Sequence, residues 1–87
     1  MYSVIYAGKA LKALEKLDPQ TAVMIYRWID KNLEGCENPR LRGKALTGDK
    51  KGYWRYRVGS YRLIAEINDA EIKIFLINVA HRRDVYQ

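Results

Sequence analysis

The sequence predicts an α+β fold in the order β-α-α-β-β-β, a single domain over residues 1–87 with an N-terminal strand and a two-helix hairpin packed on a mainly antiparallel sheet. Three observations predict it. Apolar residues recur at helical spacing in KALKALEKL and again in QTAVMIYRWIDKNLE. After residue 52 the pattern changes to the two-residue alternation of strands. Turn-forming residues at Gly59 and Asn68-Asp69 then divide that late block into three.

The opening SVIYA reads as a short strand. In the segment after it, Leu11, Leu14 and Leu17 mark one stripe of a short helix. Asp18-Pro19 restarts the chain, because Asp is a good N-cap and Pro is tolerated at the first helical position. The second helix is expected to bury Ala22, Tyr26, Ile29 and Leu33 and to stop at Gly35; Tyr26 and Trp28 read as packing residues. ENPRLRGKALTGDKKG is a polar, glycine-punctuated connection expected on the surface. The strands YWRYRV, YRLIAEI and EIKIFLINVA follow, joined by tight hairpins. The last is apolar on both faces, which predicts a position that is central or covered by the helices.

Apolar residues make up 48% of the chain and charged ones 30%, enough for a core and unlike a disordered chain. No apolar run approaches the roughly 20 residues of a membrane span, and no signal peptide opens the sequence, so a cytoplasmic protein is expected. Cys36 is the single cysteine, which excludes an internal disulfide and fits a reducing compartment. It lies beside two acids in a loop-like stretch, a poor setting for a nucleophile.

The net charge of +6 is unevenly placed. Residues 1–37 carry five basic and five acidic side chains, whereas residues 38–87 carry eleven and five. From Arg40 to Arg62 eight basic residues stand against Asp49 alone, which points to a polyanionic partner. Within WRYRVGSYR, strand alternation places Arg55 and Arg57 on one face and Trp54, Tyr56 and Val58 on the other. A turn at Gly59-Ser60 would pair Arg57 with Arg62; a turn at Val58-Gly59 would pair Arg55 with Arg62. Either puts three arginines on one face, and a three-residue loop would not. Opposed like charges destabilise a strand pair by an amount comparable to the ~0.2–1 kcal/mol of favourable pairs. Long arginines that splay into solvent over neighbouring rings lower that cost; the functional reading is an anion seated among their planar, two-pronged guanidinium groups. The ending HRRDVY adds His81, Arg82, Arg83 and Tyr86 at one end of the sheet.

No cluster of His, Cys and carboxylates has metal-ligand spacing, and neither a Gly-rich nucleotide loop nor a Ser-His-Asp set is present. The expected chemistry is therefore metal-free and cofactor-free handling of a phosphodiester by cations and a few proton-transfer groups. RNA brings its own nucleophile, the 2′-OH. Arginine is too basic for an easy general base, which leaves His81 and Tyr86. Spacing alone does not separate a nuclease from a binder.

The segments LRGKALTG, GYWRYRVGSYRLIAEI and INVAHRRDVY resemble the RelE/ParE superfamily of bacterial and archaeal toxins, specifically its RelE branch. The resemblance implies a RelE-like fold and an mRNA interferase encoded with a neutralising RelB-like antitoxin. Such toxins enter the ribosomal A site, where the message's 2′-OH attacks the adjacent phosphate, leaving a 2′,3′-cyclic phosphate and a 5′-OH. By position, Arg55 matches a catalytic basic strand residue and Arg62 the arginine after Tyr in the next strand. Arg82 matches the phosphate-stabilising arginine of the terminal motif, and Tyr86 the tyrosine that helps orient or activate the nucleophile and stack on a base. His81 occupies a position that varies between His and Lys. Arg40, Arg42, Lys44, Lys50, Lys51, Arg57 and Arg83 are expected to bind RNA, the loop from Arg40 to Lys51 meeting ribosomal RNA. The chain departs from some relatives in having Tyr53 or Trp54 where they carry a lysine, and Thr47 where they carry a base. Two other classes stay open: a ParE-type inhibitor of DNA gyrase, and a non-enzymatic nucleic-acid-binding module.

Overall fold

The structure, a computed structural model, describes residues 1–85. Strand β1 (Ser3–Tyr6) leads to helices α1 (Gly8–Glu15) and α2 (Pro19–Asn32). There follow β2 (Lys44–Ala45), a 3-10 turn at Gly48–Lys50, β3 (Trp54–Val58), β4 (Tyr61–Asn68), β5 (Lys73–His81) and α3 (Arg82–Val85). The five strands form one sheet in the order β1-β5-β4-β3-β2. β1 runs parallel to β5 and the other pairs are antiparallel. The apolar β5 is internal, as its two-faced hydrophobicity predicts. The two-residue β2 and the short α3 are additions to the expected order.

Both helices cover one face of the sheet. Asp18 caps α2 as expected, its side chain accepting the Thr21 N–H at 3.1 Å, with Pro19 at the first helical position. In α1 the buried residues are Ala10 and Leu14, while Leu11 is 40% exposed, contrary to the three-leucine stripe. Steps of three residues fall behind the 3.6-residue turn by about 60° each, so such a stripe rotates off the core. In α2 the fully buried positions are Ile25, Ile29 and Leu33, four apart, with Ala22 and Tyr26 half-buried at their flanks. Tyr56 fills the middle of the core, its ring 5.8 Å from that of Trp28. No described helix is long and apolar enough to cross a membrane.

Two departures from simple alternation shape the late strands. The β4–β5 connection is a four-residue turn, Asp69 to Ile72, in place of a tight hairpin. The Asn68 side chain accepts the Glu71 N–H at 3.0 Å and so stabilises a longer turn. Farther along, Ile64 pairs with Asn78 but Ala65 pairs with Leu76, which leaves Ile77 as an extra residue on β5. This bulge moves Val79 and His81 onto the helix-covered face with Ile74 and Leu76.

The basic connection is tied to the sheet at several points. Tyr56 donates its buried hydroxyl to the Pro39 carbonyl at 2.6 Å, and Trp54 Nε1 donates to the Arg42 carbonyl at 2.7 Å. Gly43 makes the close approach possible: its φ is +85°, and a Cβ there would lie 2.3 Å from the Arg55 carbonyl oxygen. Gly43→Ala is therefore expected to destabilise the fold by about 1–3 kcal/mol, read from urea unfolding. An unchanged midpoint would mean that the connection shifts without cost.

Candidate functional site

The β3–β4 register resolves the hairpin. Val58 pairs with Tyr61 and Arg57 with Arg62, so Gly59 and Ser60 form the turn. Lys44 pairs with Arg55, and Arg55 with Ile64. Lys44, Arg55, Arg57 and Arg62 thus share the sheet face opposite the helices, where two of the arginines are directly opposed. Arg57 is exposed, Arg55 half-buried and Arg62 only 4% exposed. Arg62 Nη1 donates to the Tyr61 carbonyl at 3.5 Å. A guanidinium held in so little water attracts an anion strongly, because solvent screens it poorly.

The end of β5 brings further cations to the same end of the sheet. The Arg82 N–H donates to the Ser60 carbonyl at 2.8 Å, which fixes the start of α3 against the hairpin turn, two residues from Arg62. Arg82 and Arg83 are exposed. His81 is placed differently. It pairs with Tyr61, packs edge-on against that ring at 5.3 Å, and by register belongs to the face of Val58. Its Nδ1 accepts the Arg83 N–H at 3.3 Å, capping the first turn of α3. The bulge at Ile77 causes this placement, since unbroken alternation from Phe75 would have put His81 on the arginine face. Tyr86 lies outside the described residues.

The connecting loop divides in two. Arg42 lines a groove beside α2, and Lys50 and Lys51 stand exposed at the 3-10 turn before β3. Arg40, expected to bind RNA, instead makes a two-pronged ion pair with Asp69, both contacts at 3.0 Å. Tyr2 donates its hydroxyl to the same carboxylate at 2.5 Å. The pair joins the connection to the β4–β5 turn, at the opposite end of the sheet from the hairpin turn.

The hydrogen bonds from Arg40 and then Tyr2 hold the Asp69 carboxyl below its ordinary pKa. A depressed carboxylate contributes stability above its unfolded value, near pH 3.9, and that contribution is lost as pH falls through the folded value. Asp69→Asn is expected to lose a smaller share of its Tm than the parent between about pH 7 and pH 3, read by thermal unfolding. Equal losses would remove Asp69 from the acid response. Burial pushes the Cys36 thiol up, which disfavours the thiolate a nucleophile needs. Among the described residues no group of His, Cys, Asp and Glu is placed to hold a metal ion.

Comparison with known proteins agrees with this fold. A family profile described as the ParE toxin of the type II toxin–antitoxin system parDE matches residues 4–86. Toxin RelG of Mycobacterium tuberculosis is 29% identical over 86 residues, which span 99% of this chain and 97% of that protein. The crystal structure of the toxin–antitoxin complex RelBE2 from the same organism superposes with a TM-score of 0.84 at 28% identity, over 93% of this chain and 98% of that one. The archaeal RelE–RelB complex from Pyrococcus horikoshii gives a TM-score of 0.70 at 27% identity, over 93% and 94% of the two chains. With its RelE-like sheet and helix pair and a profile match across nearly its whole length, the chain belongs to the ParE toxin family of type II toxin–antitoxin systems, within the RelE/ParE superfamily.

Proposed function

We propose that this toxin is a metal-independent endoribonuclease that cuts messenger RNA in the ribosomal A site. The observation that carries the reading is the hairpin register, which sets Arg57 opposite Arg62 with Arg55 and Lys44 beside them. Crowding like charges on one face suits a ligand with closely spaced negative charges. The 2′-oxygen attacks the adjacent phosphorus, its proton leaves to a base, and the P–O5′ bond breaks as the 5′-oxygen gains a proton. Arg55, Arg62 and Arg82 stabilise the charge that builds on the phosphoryl oxygens. Arg57, Arg83 and Lys44 hold flanking phosphates, and Arg42, Lys50 and Lys51 meet ribosomal RNA. Tyr86 orients the 2′-hydroxyl. His81 holds α3 in place through its cap, and does not move the proton. The partner in the resting cell is a RelB-like antitoxin, a reading supported by the relatives solved as complexes, and the place of action is the cytoplasm.

The test is primer extension on a message carried by purified ribosomes, with free message as control. Cuts in register with codons and only on ribosomes are expected; a folded protein that makes none would sink the reading. The family profile's ParE description favours a second reading, gyrase inhibition by binding. A supercoiling assay separates the two, and no effect is expected. His81→Asn keeps an acceptor at the start of α3 and is expected to cut within about tenfold of the parent rate. Loss of a general base would instead cost ~10²–10⁴-fold.

A further inference from the structure

A concavity of about 610 Å³ lies between α2 and the end of β3, around the sheet edge from the arginine face. Four cations line it: Arg27 and Lys31 from α2, Arg42 from the connection and Arg57 from β3. Among the described residues, no Asp or Glu lines it.

The arrangement follows from how α2 distributes its charge. Arg27 and Lys31 are four residues apart and therefore on one side of the helix. The acids lean toward β1, Asp30 standing about 60° round the helix from Arg27. Asp30 lies near Tyr6, and Glu34, just past the helix, accepts the β1 Val4 N–H at 3.1 Å. A segment whose net charge is zero is thus split into an acidic side over β1 and a basic side over β3. Summed charge along the sequence conceals this.

Arg57 belongs to both sites, since it opposes Arg62 across the hairpin and also lines the concavity. β2 pairs only with Trp54 and Arg55, so it does not separate the two around Tyr56 to Val58. Met24 and Trp28 give the floor apolar surface for a sugar or base.

We propose that this groove binds the ribose-phosphate backbone of the RNA strand flanking the arginine face, with Arg27 and Lys31 each neutralising a phosphate. A ribose-phosphate chain carries one charge per nucleotide, so a single strand can occupy the arginine row and the groove in succession. The identity of the polyanion rests on the proposed ribonuclease reading; binding, however, is read without cleavage.

The test uses the full-length protein, with no ribosomes, and a fluorescent oligouridylate of about 12 nucleotides. Affinity is followed by anisotropy between roughly 50 and 200 mM salt. Single-stranded RNA gives a log–log slope of about 0.7 per phosphate contact, so Arg27→Ala/Lys31→Ala should lower the slope by about 1.4. The charge-retaining swap Arg27→Lys/Lys31→Arg should restore it. Both variants change exposed residues, and thermal unfolding at the parent temperature verifies the fold. An unchanged slope in the folded alanine variant overturns the inference. So does a poly-glutamate peptide that binds as tightly as the RNA and loses the same slope, since the groove would then be a site for acidic polypeptide. A parent protein that never cuts message overturns the ribonuclease reading alone, and leaves the slope difference in place.

Discussion

Arg62→Ala is expected to slow ribosome-dependent cleavage by roughly 10²–10³-fold, the usual loss when one donor to a developing oxyanion is removed from a dry site. The side chain sits at 4% exposure on the row that opposes Arg57, where a charge is screened least. Arg62→Lys separates charge from shape. A lysine keeps the charge but loses the planar fork, so an intermediate rate is expected. A lysine variant as fast as the parent would mean that a point charge is enough. Because Arg62 is buried, its variants require a parallel unfolding curve. Arg82→Ala needs less care, since that side chain is exposed and its backbone N–H bond to Ser60 survives the change. A loss of similar size is expected with an unchanged Tm. If Arg82→Ala cuts at the parent rate, Arg82 has no part in stabilising the scissile phosphate.

Tyr56→Ala is expected to cost about 3–5 kcal/mol, as for other large buried aromatics. A domain of this length has a total stability of roughly 4–13 kcal/mol, so the variant should lose a large share of it and show a much lower urea midpoint and Tm. Tyr56 is fully buried, touches Trp28, and holds the basic connection through Pro39. Tyr56→Phe keeps the ring and removes only the hydrogen bond, at about 0.5–1.5 kcal/mol. Urea unfolding followed by tryptophan fluorescence reads both, because Trp28 packs on the ring and Trp54 is anchored to the Arg42 carbonyl. A phenylalanine variant as damaged as the alanine one would shift the weight from the ring to the hydroxyl.

What the sequence made legible was set by local rules. The α2 cap at Asp18-Pro19 and a hairpin around Gly59 depend on neighbours a few residues away and can be read from spacing; spacing left two registers open, and the structure selects the one that pairs Arg57 with Arg62. The internal position of β5 followed from its composition. What the sequence did not show involves longer distances or a single inserted residue. Arg40 finds Asp69 twenty-nine positions on, and no local pattern in a basic loop signals that pairing. One extra residue at Ile77 reverses parity for everything after it and carries His81 away from the arginines. Leu11 was misplaced because three-residue spacing resembles a stripe only over short helices. The groove of Arg27 and Lys31 was missed for a different reason. The signal was there, as two bases four apart on a predicted helix, but charge had been summed along the chain and not around the helix.

The outer edge of β1 has one more consequence. Its Tyr2 N–H donates to the Cys36 carbonyl at 2.8 Å and its Val4 N–H to Glu34, while the Gly35 N–H donates to the Tyr2 carbonyl at 2.7 Å. That side of the sheet is closed by the chain's own turn. Growth of a fibre by strand stacking needs two open sides on every unit, whereas among the described residues the β2–β3 side alone lacks such a cover. Copies that meet there can form a closed pair but no longer series. The β1 edge is by this construction a poor place for another strand to add.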